Sequence, residues 1–138
     1  MKLLLVIVML YSVKTMACSC SAWENVSQIV DQANGVYVAI PMENSRRVFR
    51  RQIPRRPIPR LMKTQMKIVR SYKGSTSETV NVFHDPKIGT SCEFKFEKQD
   101  GIFVVITYKV NGRQMTDSCS TSQLGPYNSM ATNFLLQL

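Results

Sequence analysis

Histidine is nearly missing from this sequence, which has one, His84, among its 138 residues. This scarcity excludes a metal site built from several histidines, and a Ser/His/Asp or Cys/His hydrolase would depend on that one side chain. The Asp85-Pro86 pair after His84 indicates the end of a strand, so we expect a surface or turn position for this residue. Since no set of acid, base and nucleophile is apparent, we expect a protein that is not an enzyme.

Acidic residues are also few. Nine Asp and Glu stand against 18 Lys and Arg, which gives a formal net charge of +9. Hydrophobic residues make up 44% of the chain and charged residues 20%, a balance typical of a folded globule. The length is enough for one domain. No apolar run approaches the roughly 20 residues that span a bilayer, so we predict no transmembrane segment.

The start of the chain has the three-part pattern of a secretory signal peptide. A short basic start is followed by eight apolar residues at 3–10, a more polar stretch, and the small residues Thr15 and Ala17 ahead of Cys18. We predict a signal peptide over 1–17 and a secreted, extracellular protein, periplasmic if the source is bacterial. The alternatives are a buried N-terminal helix or strand, and a bacterial lipoprotein lipidated at Cys18. The cut would leave 16 Lys and Arg against nine acidic residues, a formal charge of +7.

Apolar patterning in the rest of the chain predicts short strands with a helix at each end. The Asn111-Gly112 pair is a strong signal for a two-residue hairpin turn. Because no alternation of strand and helix is present, we predict a mainly β single domain over 18–138, in which five or six strands form a small closed antiparallel barrel. The predicted elements are helices over 23–34 and 127–136 and strands over 36–40, 63–72, 78–83, 102–108 and 113–118.

Residues 43–62 differ from the rest in composition, with seven Arg, three Pro and one acidic residue. Such a stretch cannot bury one face, so we predict an exposed inserted loop or long hairpin. Either it is only solvated or it binds a polyanion such as a sulfated polysaccharide, a membrane surface or nucleic acid. Export and a single aromatic residue, Phe49, argue against nucleic acid. The candidate polyanion-binding residues are Arg46, Arg47, Arg50, Arg51, Arg55, Arg56 and Arg60.

All four cysteines, Cys18, Cys20, Cys92 and Cys119, follow the predicted cut, and in an exported chain we expect them to form disulfides. Cys18 and Cys20 are too close in sequence to bridge each other without strain. Each therefore pairs with Cys92 or Cys119, in one of two arrangements. Either arrangement would fix the new N-terminus, whose α-amine and carbonyl oxygen can chelate a zinc ion that keeps an open coordination position.

Several short motifs follow one another after the predicted cut. They are Cys18-Ser19-Cys20, the stretch 66–74 ending in Tyr72-Lys73-Gly74, Ser91-Cys92 followed by Gly101-Ile102-Phe103-Val104-Val105, Asp117-Ser118-Cys119-Ser120, and Gly125-Pro126-Tyr127-Asn128-Ser129-Met130. In this order they resemble the N-terminal domain of the tissue inhibitors of metalloproteinases, within the wider netrin-like module family. The resemblance covers most of residues 18–135.

The resemblance implies an OB-fold barrel with disulfides Cys18–Cys92 and Cys20–Cys119. It implies a monomeric inhibitor of an extracellular zinc metalloproteinase, with no cofactor of its own, in which residue 18 chelates the zinc of the protease. Ser19 would enter the primary specificity pocket. The residues that it implies as protease contacts are Cys18, Ser19, Cys20, Ser21, Ala22, Thr90, Ser91 and Cys92.

In this interpretation, Ser21 and Ala22 continue along the protease cleft, and Thr90 and Ser91 form a second contact strip beside the terminus. The alternative function is a non-inhibitory extracellular binding module of the same fold, which uses the Arg-rich loop on a polyanion such as heparan sulfate. Asn25-Val26-Ser27 is an N-glycosylation sequon if the source is eukaryotic.

Overall fold

The computed structural model of the protein describes residues 20, 23, 25–48, 61–126 and 128–138. Within these ranges the chain is mainly β, with two short helices, as the patterning predicts. The elements are α1 Val26–Gln32, β1 Gly35–Pro41, β2 Arg46–Arg47, β3 Met62–Lys73, β4 Thr79–His84, β5 Phe103–Val110, β6 Arg113–Met115, β7 Thr121–Gln123 and α2 Ser129–Leu136.

Five of the strands close into a barrel in the order β1-β3-β4-β6-β5, and the β1–β5 pairing completes the ring. The predicted small closed barrel is confirmed, but the prediction that it is wholly antiparallel is wrong. The β4–β6 pairing is parallel, with Phe83 beside Met115, and the other four pairings around the ring are antiparallel. The reason is topological, because strand directions cannot alternate all the way around a ring with an odd number of strands. Outside the ring, β2 pairs with β3 and β7 pairs with β5.

The barrel separates two hydrophobic clusters. Side chains on a strand point alternately to its two faces, so β1 and β5 contribute to both clusters. The inner core fills the barrel, and the outer layer lies between the β1–β5 wall and the two helices. The inner core contains Tyr37, Ala39, Met66, Val80, Val82, Phe96, Phe103 and Val105. The outer layer contains Trp23, Val26, Ala33, Val36, Val38, Val104, Ile106, Ala131 and Phe134.

Asparagine side chains set the start of both helices. Asn25 caps α1 by accepting a hydrogen bond from the backbone N–H of Gln28, and Asn128 caps α2 in the same way from Ala131. An asparagine cap satisfies a backbone donor that has no partner within the helix. This explains why the helices begin two or three residues later than predicted. Within the described ranges, neither helix has the length and apolar character needed to cross a membrane.

Candidate functional site

A disulfide ties the N-terminal end of the described chain to the connection between β6 and β7. Cys20 is bonded to Cys119, 99 residues away, with Cα atoms 5.2 Å apart. This is the pairing that the resemblance implies. Three residues further on, the indole N–H of Trp23 donates a hydrogen bond of 2.9 Å to the carbonyl oxygen of Cys119. The ring of Trp23 packs edge-on against Phe134, with ring centroids 4.9 Å apart. Within four positions of sequence, Cys20 and Trp23 thus make a disulfide, a hydrogen bond and an aromatic contact to the rest of the protein.

The connection between β6 and β7, which carries Cys119, is itself held by a carboxylate. Oδ1 of Asp117 accepts hydrogen bonds from the backbone N–H groups of Cys119 at 2.9 Å and Ser120 at 2.7 Å. The hydroxyl of Thr121 donates to the carbonyl oxygen of Asp117 at 2.6 Å. The anchor for Cys20 is therefore an internally bonded turn that leads directly into β7.

The second predicted contact strip, Thr90 to Cys92, lies on the connection between β4 and β5. Thr90 and Ser91 are exposed, and Cys92 is half-buried. The Thr90 hydroxyl donates to the carbonyl oxygen of Lys87 at 2.6 Å and accepts from the backbone N–H of Cys92 at 3.2 Å. Cys92 is disulfide-bonded. The strip is thus a bonded turn at the surface, with Cys92 covalently tied.

Several residues of the predicted site lie outside the described part of the chain: Cys18, Ser19, Ser21 and Ala22. The zinc-chelating role of residue 18 and the Cys18–Cys92 bridge therefore stay predictions. Of the predicted protease contacts, the structure places Cys20 against the β6–β7 connection, through its bond to Cys119. It places Thr90, Ser91 and Cys92 on the β4–β5 connection. Across the described ranges, no group of three or more His, Cys, Asp or Glu side chains could hold a metal ion.

The predicted surface position of His84 is wrong, because this side chain is fully buried at the end of β4. Its Nε2 lies 3.1 Å from the carbonyl oxygen of Phe94, which fits a neutral ring that donates from Nε2. Nδ1 is buried and has no hydrogen-bond partner among the described residues. Burial lowers the pKa of His84 to about 4, although the Phe94 hydrogen bond and the nearby Asp85 charge favour the protonated form.

The role of His84 is structural and concerns the segment that carries Cys92. Its ring packs against Phe94 and Phe96, with centroids 5.1 and 5.6 Å away. These contacts hold the β4–β5 connection against the mouth of the barrel. The alternation of Val80, Val82 and His84 along β4 is the sequence signal that places all three on the inner face.

The described part of the Arg-rich segment forms one side of an open cleft of about 680 Å³, lined by Arg46, Arg47, Val48 and Lys63. Arg46 is paired with Glu43, with 2.7 Å between Nη2 and Oε2. The N–H of Val48 donates to the carbonyl oxygen of Leu61 at 2.8 Å, so these two residues of the Arg-rich segment lie side by side. The remaining predicted polyanion contacts lie outside the described residues: Arg50, Arg51, Arg55, Arg56 and Arg60.

No protein-family model matches this chain, and no curated protein matches it either. Any functional assignment therefore depends on the chemistry and placement of the residues themselves.

Proposed function

We propose that the protein is a secreted inhibitor of zinc metalloproteinases that acts through its processed N-terminus. The observation that carries the proposal is the Cys20–Cys119 disulfide, because it fixes the third residue after the predicted cut. Chain termini are normally frayed, whereas an inhibitor that chelates through its terminus needs a terminus with a fixed conformation. A terminus held in its bound conformation loses less conformational entropy when it enters a protease cleft.

The β4–β5 connection supports the same proposal. Thr90 and Ser91 are exposed beside the disulfide-bonded Cys92. If Cys18 is the partner of Cys92, as the resemblance implies, these two residues lie next to the terminus and extend the contact surface. Ser21 and Ala22 would extend it along the cleft in the other direction.

The proposed chemistry is coordination without a covalent step. An α-amine has an ordinary pKa of about 7.7–8.0, so a useful fraction is neutral near pH 7. The amine nitrogen and carbonyl oxygen of Cys18 would form a five-membered chelate on the zinc of the protease and replace the water at its open position. Ser19, the next residue, would enter the primary specificity pocket.

An extension at the terminus tests the mechanism. The protein beginning at Cys18 is compared with a form that has one extra alanine ahead of Cys18, against a panel of zinc proteases. We expect the extension to abolish inhibition, since it moves the amine away from the carbonyl oxygen of Cys18 and destroys the chelate. Inhibition that survives the extension, or that is missing from the unextended form across the panel, would overturn the proposal. Equal thermal unfolding of the two forms is the control for folding.

The cleft formed by Arg46, Arg47 and Lys63 favours a second candidate, a non-inhibitory extracellular module that binds a polyanion through the Arg-rich segment. The disulfide fits an oxidising, extracellular setting. Heparin chromatography tests this candidate. The protein should elute well above physiological salt, and later than a variant in which the seven arginines of residues 43–62 are changed to glutamine. Co-elution of the two would refute it.

A further inference from the structure

One face of the barrel, outside the Arg-rich segment, has cationic but no acidic side chains at its outward strand positions, although Glu43 reaches its edge at the backbone N–H of Gln65. Burial identifies the inward positions of β3 as Met62, Thr64 and Met66, and those of β4 as Val80, Val82 and His84. The alternating positions therefore face outward, and no carboxylate is among them. We call this surface the basic wall. It consists of Lys63, Gln65, Lys67, Thr79, Asn81, Phe83, Arg113 and Met115.

Strand register shows how the charges of the basic wall are distributed over neighbouring strands. Lys63 lies opposite Arg46 on one side and opposite Phe83 on the other, and Phe83 lies beside Met115. With neighbouring strands about 4.8 Å apart, the surface from β2 to β6 is roughly 14 Å wide, and Lys63 and Lys67 are about 13 Å apart along β3. The cations are thus spread over an area and are not clustered at one point.

Two features keep this surface available to an anion. Among the described residues, no carboxylate forms an ion pair with Lys63, Lys67 or Arg113, whereas Arg46 is paired with Glu43. The guanidinium of Arg113 lies 5.3 Å above the centre of the Phe83 ring. An aromatic face holds a guanidinium by cation–π attraction and leaves its N–H groups free to meet an anion.

We propose that the basic wall binds a sulfated linear polysaccharide. This inference rests on the second candidate function and extends its site from the Arg-rich segment onto the adjoining barrel surface. Single-stranded nucleic acid fits less well. Its binding needs successive exposed aromatic rings, but the wall offers only Phe83, half-buried beneath Arg113. Disulfides also favour an extracellular polyanion.

The test compares matched charge-loss variants of the protein secreted from the full-length chain, with heparin as the probe. The wall variant is Lys63→Gln/Lys67→Gln/Arg113→Gln. The control variant, Arg70→Gln/Lys87→Gln/Lys95→Gln, removes the same charge from exposed positions outside the wall. Three surface ion pairs account for about a tenfold change in affinity at low salt. We expect that loss, and a shallower salt dependence, in the wall variant and a much smaller loss in the control.

A third variant separates failure of the wall from failure of the second candidate function. It changes Arg50, Arg51, Arg55, Arg56 and Arg60 to glutamine. If this variant loses heparin binding while the wall variant binds like the unmodified protein, the wall is refuted and the polyanion function stands. If no variant loses binding, both fail. Competition by single-stranded DNA at the same charge concentration as heparin would refute the polysaccharide assignment. If the wall variant unfolds, Lys67→Glu at an exposed position decides the matter, with an expected loss of several-fold.

Discussion

The β1–β5 wall and the basic wall are parts of one barrel with opposite outer faces. Both contribute side chains to the inner core, but the outer side of β1–β5 is covered by the two helices and Trp23, while the basic wall faces water. The sequences differ accordingly. Residues 103–107 of β5 are all buried, whereas β3 begins with strict alternation of buried and half-buried residues. Coverage by other elements, and not strand propensity, decides which pattern a strand carries.

The largest expected effect comes from removing the Cys20–Cys119 disulfide, which helps to hold Trp23 in the outer layer against the β1–β5 wall. Cys20→Ala/Cys119→Ala opens a bridge between residues 99 apart and frees the stretch that positions Trp23. We expect the free energy of unfolding to fall by about 4 kcal/mol. Denaturant unfolding with and without reductant measures it. A loss of unfolding free energy under 1 kcal/mol would show that packing alone holds Trp23 and the helices on the β1–β5 wall.

Matched truncations on the outer faces of the two walls test the comparison itself. Ile106 on β5 is 1% exposed beneath the helices, and Gln65 on β3 is half-buried on the basic wall. We expect Ile106→Ala to cost about 3 kcal/mol, because it leaves a cavity in the outer layer. Gln65→Ala should stay within about 0.5 kcal/mol of the unmodified protein. Equal losses in urea unfolding would contradict the distinction between the walls.

Acid should destabilise the folded protein, because His84 on the inner face of the basic wall is fully buried. The pKa of His84 is about 4 when folded, against an ordinary value of 6.5. The unfolded state therefore binds the proton first, and stability falls as pH drops from about 6.5 to about 4, then levels off. The full loss is about 3 kcal/mol.

His84→Leu is the control for this prediction, since it removes the titration and keeps an apolar side chain at the site. The difference in unfolding free energy between the two proteins should change with pH only between about 6.5 and 4. A difference that is flat over this range would mean that His84 becomes protonated in the folded state without penalty.

Local signals explain which parts of the fold were predictable. The Asn111-Gly112 turn requires positive φ at both central residues, and the structure has 50° and 77° there. The strands at 62–73 and 103–110 carry enough β-branched and apolar residues to be predicted as strands from composition. The two-residue strand β2 and the three-residue β7 have no such signal, because only their pairing with β3 and β5 defines them.

The site was less predictable because its parts come together only in three dimensions. Cysteine spacing alone leaves two pairings open, and it was the resemblance that implied Cys20–Cys119. The packing of Phe96, which is buried, and of Phe94, which is half-buried, has no periodic signal, because the connection that carries them forms no strand and is positioned by His84. A histidine before Asp-Pro looks like a strand end, and it is one, but sequence does not show that a loop covers it.

The smallest expected effect concerns the contact that links the two walls. Tyr37 of β1 crosses the end of the barrel, and its hydroxyl accepts a hydrogen bond of 3.0 Å from the N–H of Ser75, just after β3. Gly74, at φ +96°, lies against that hydroxyl, so an added Cβ would collide with it and with the carbonyl oxygen of Asn34. We expect Gly74→Ala to cost about 2 kcal/mol. Gly112→Ala is the control. It has φ +77° but open space around its Cβ position, so it should cost about 1 kcal/mol through the backbone alone. If thermal unfolding gives equal losses for the two variants, the Tyr37 contact does not hold the walls together.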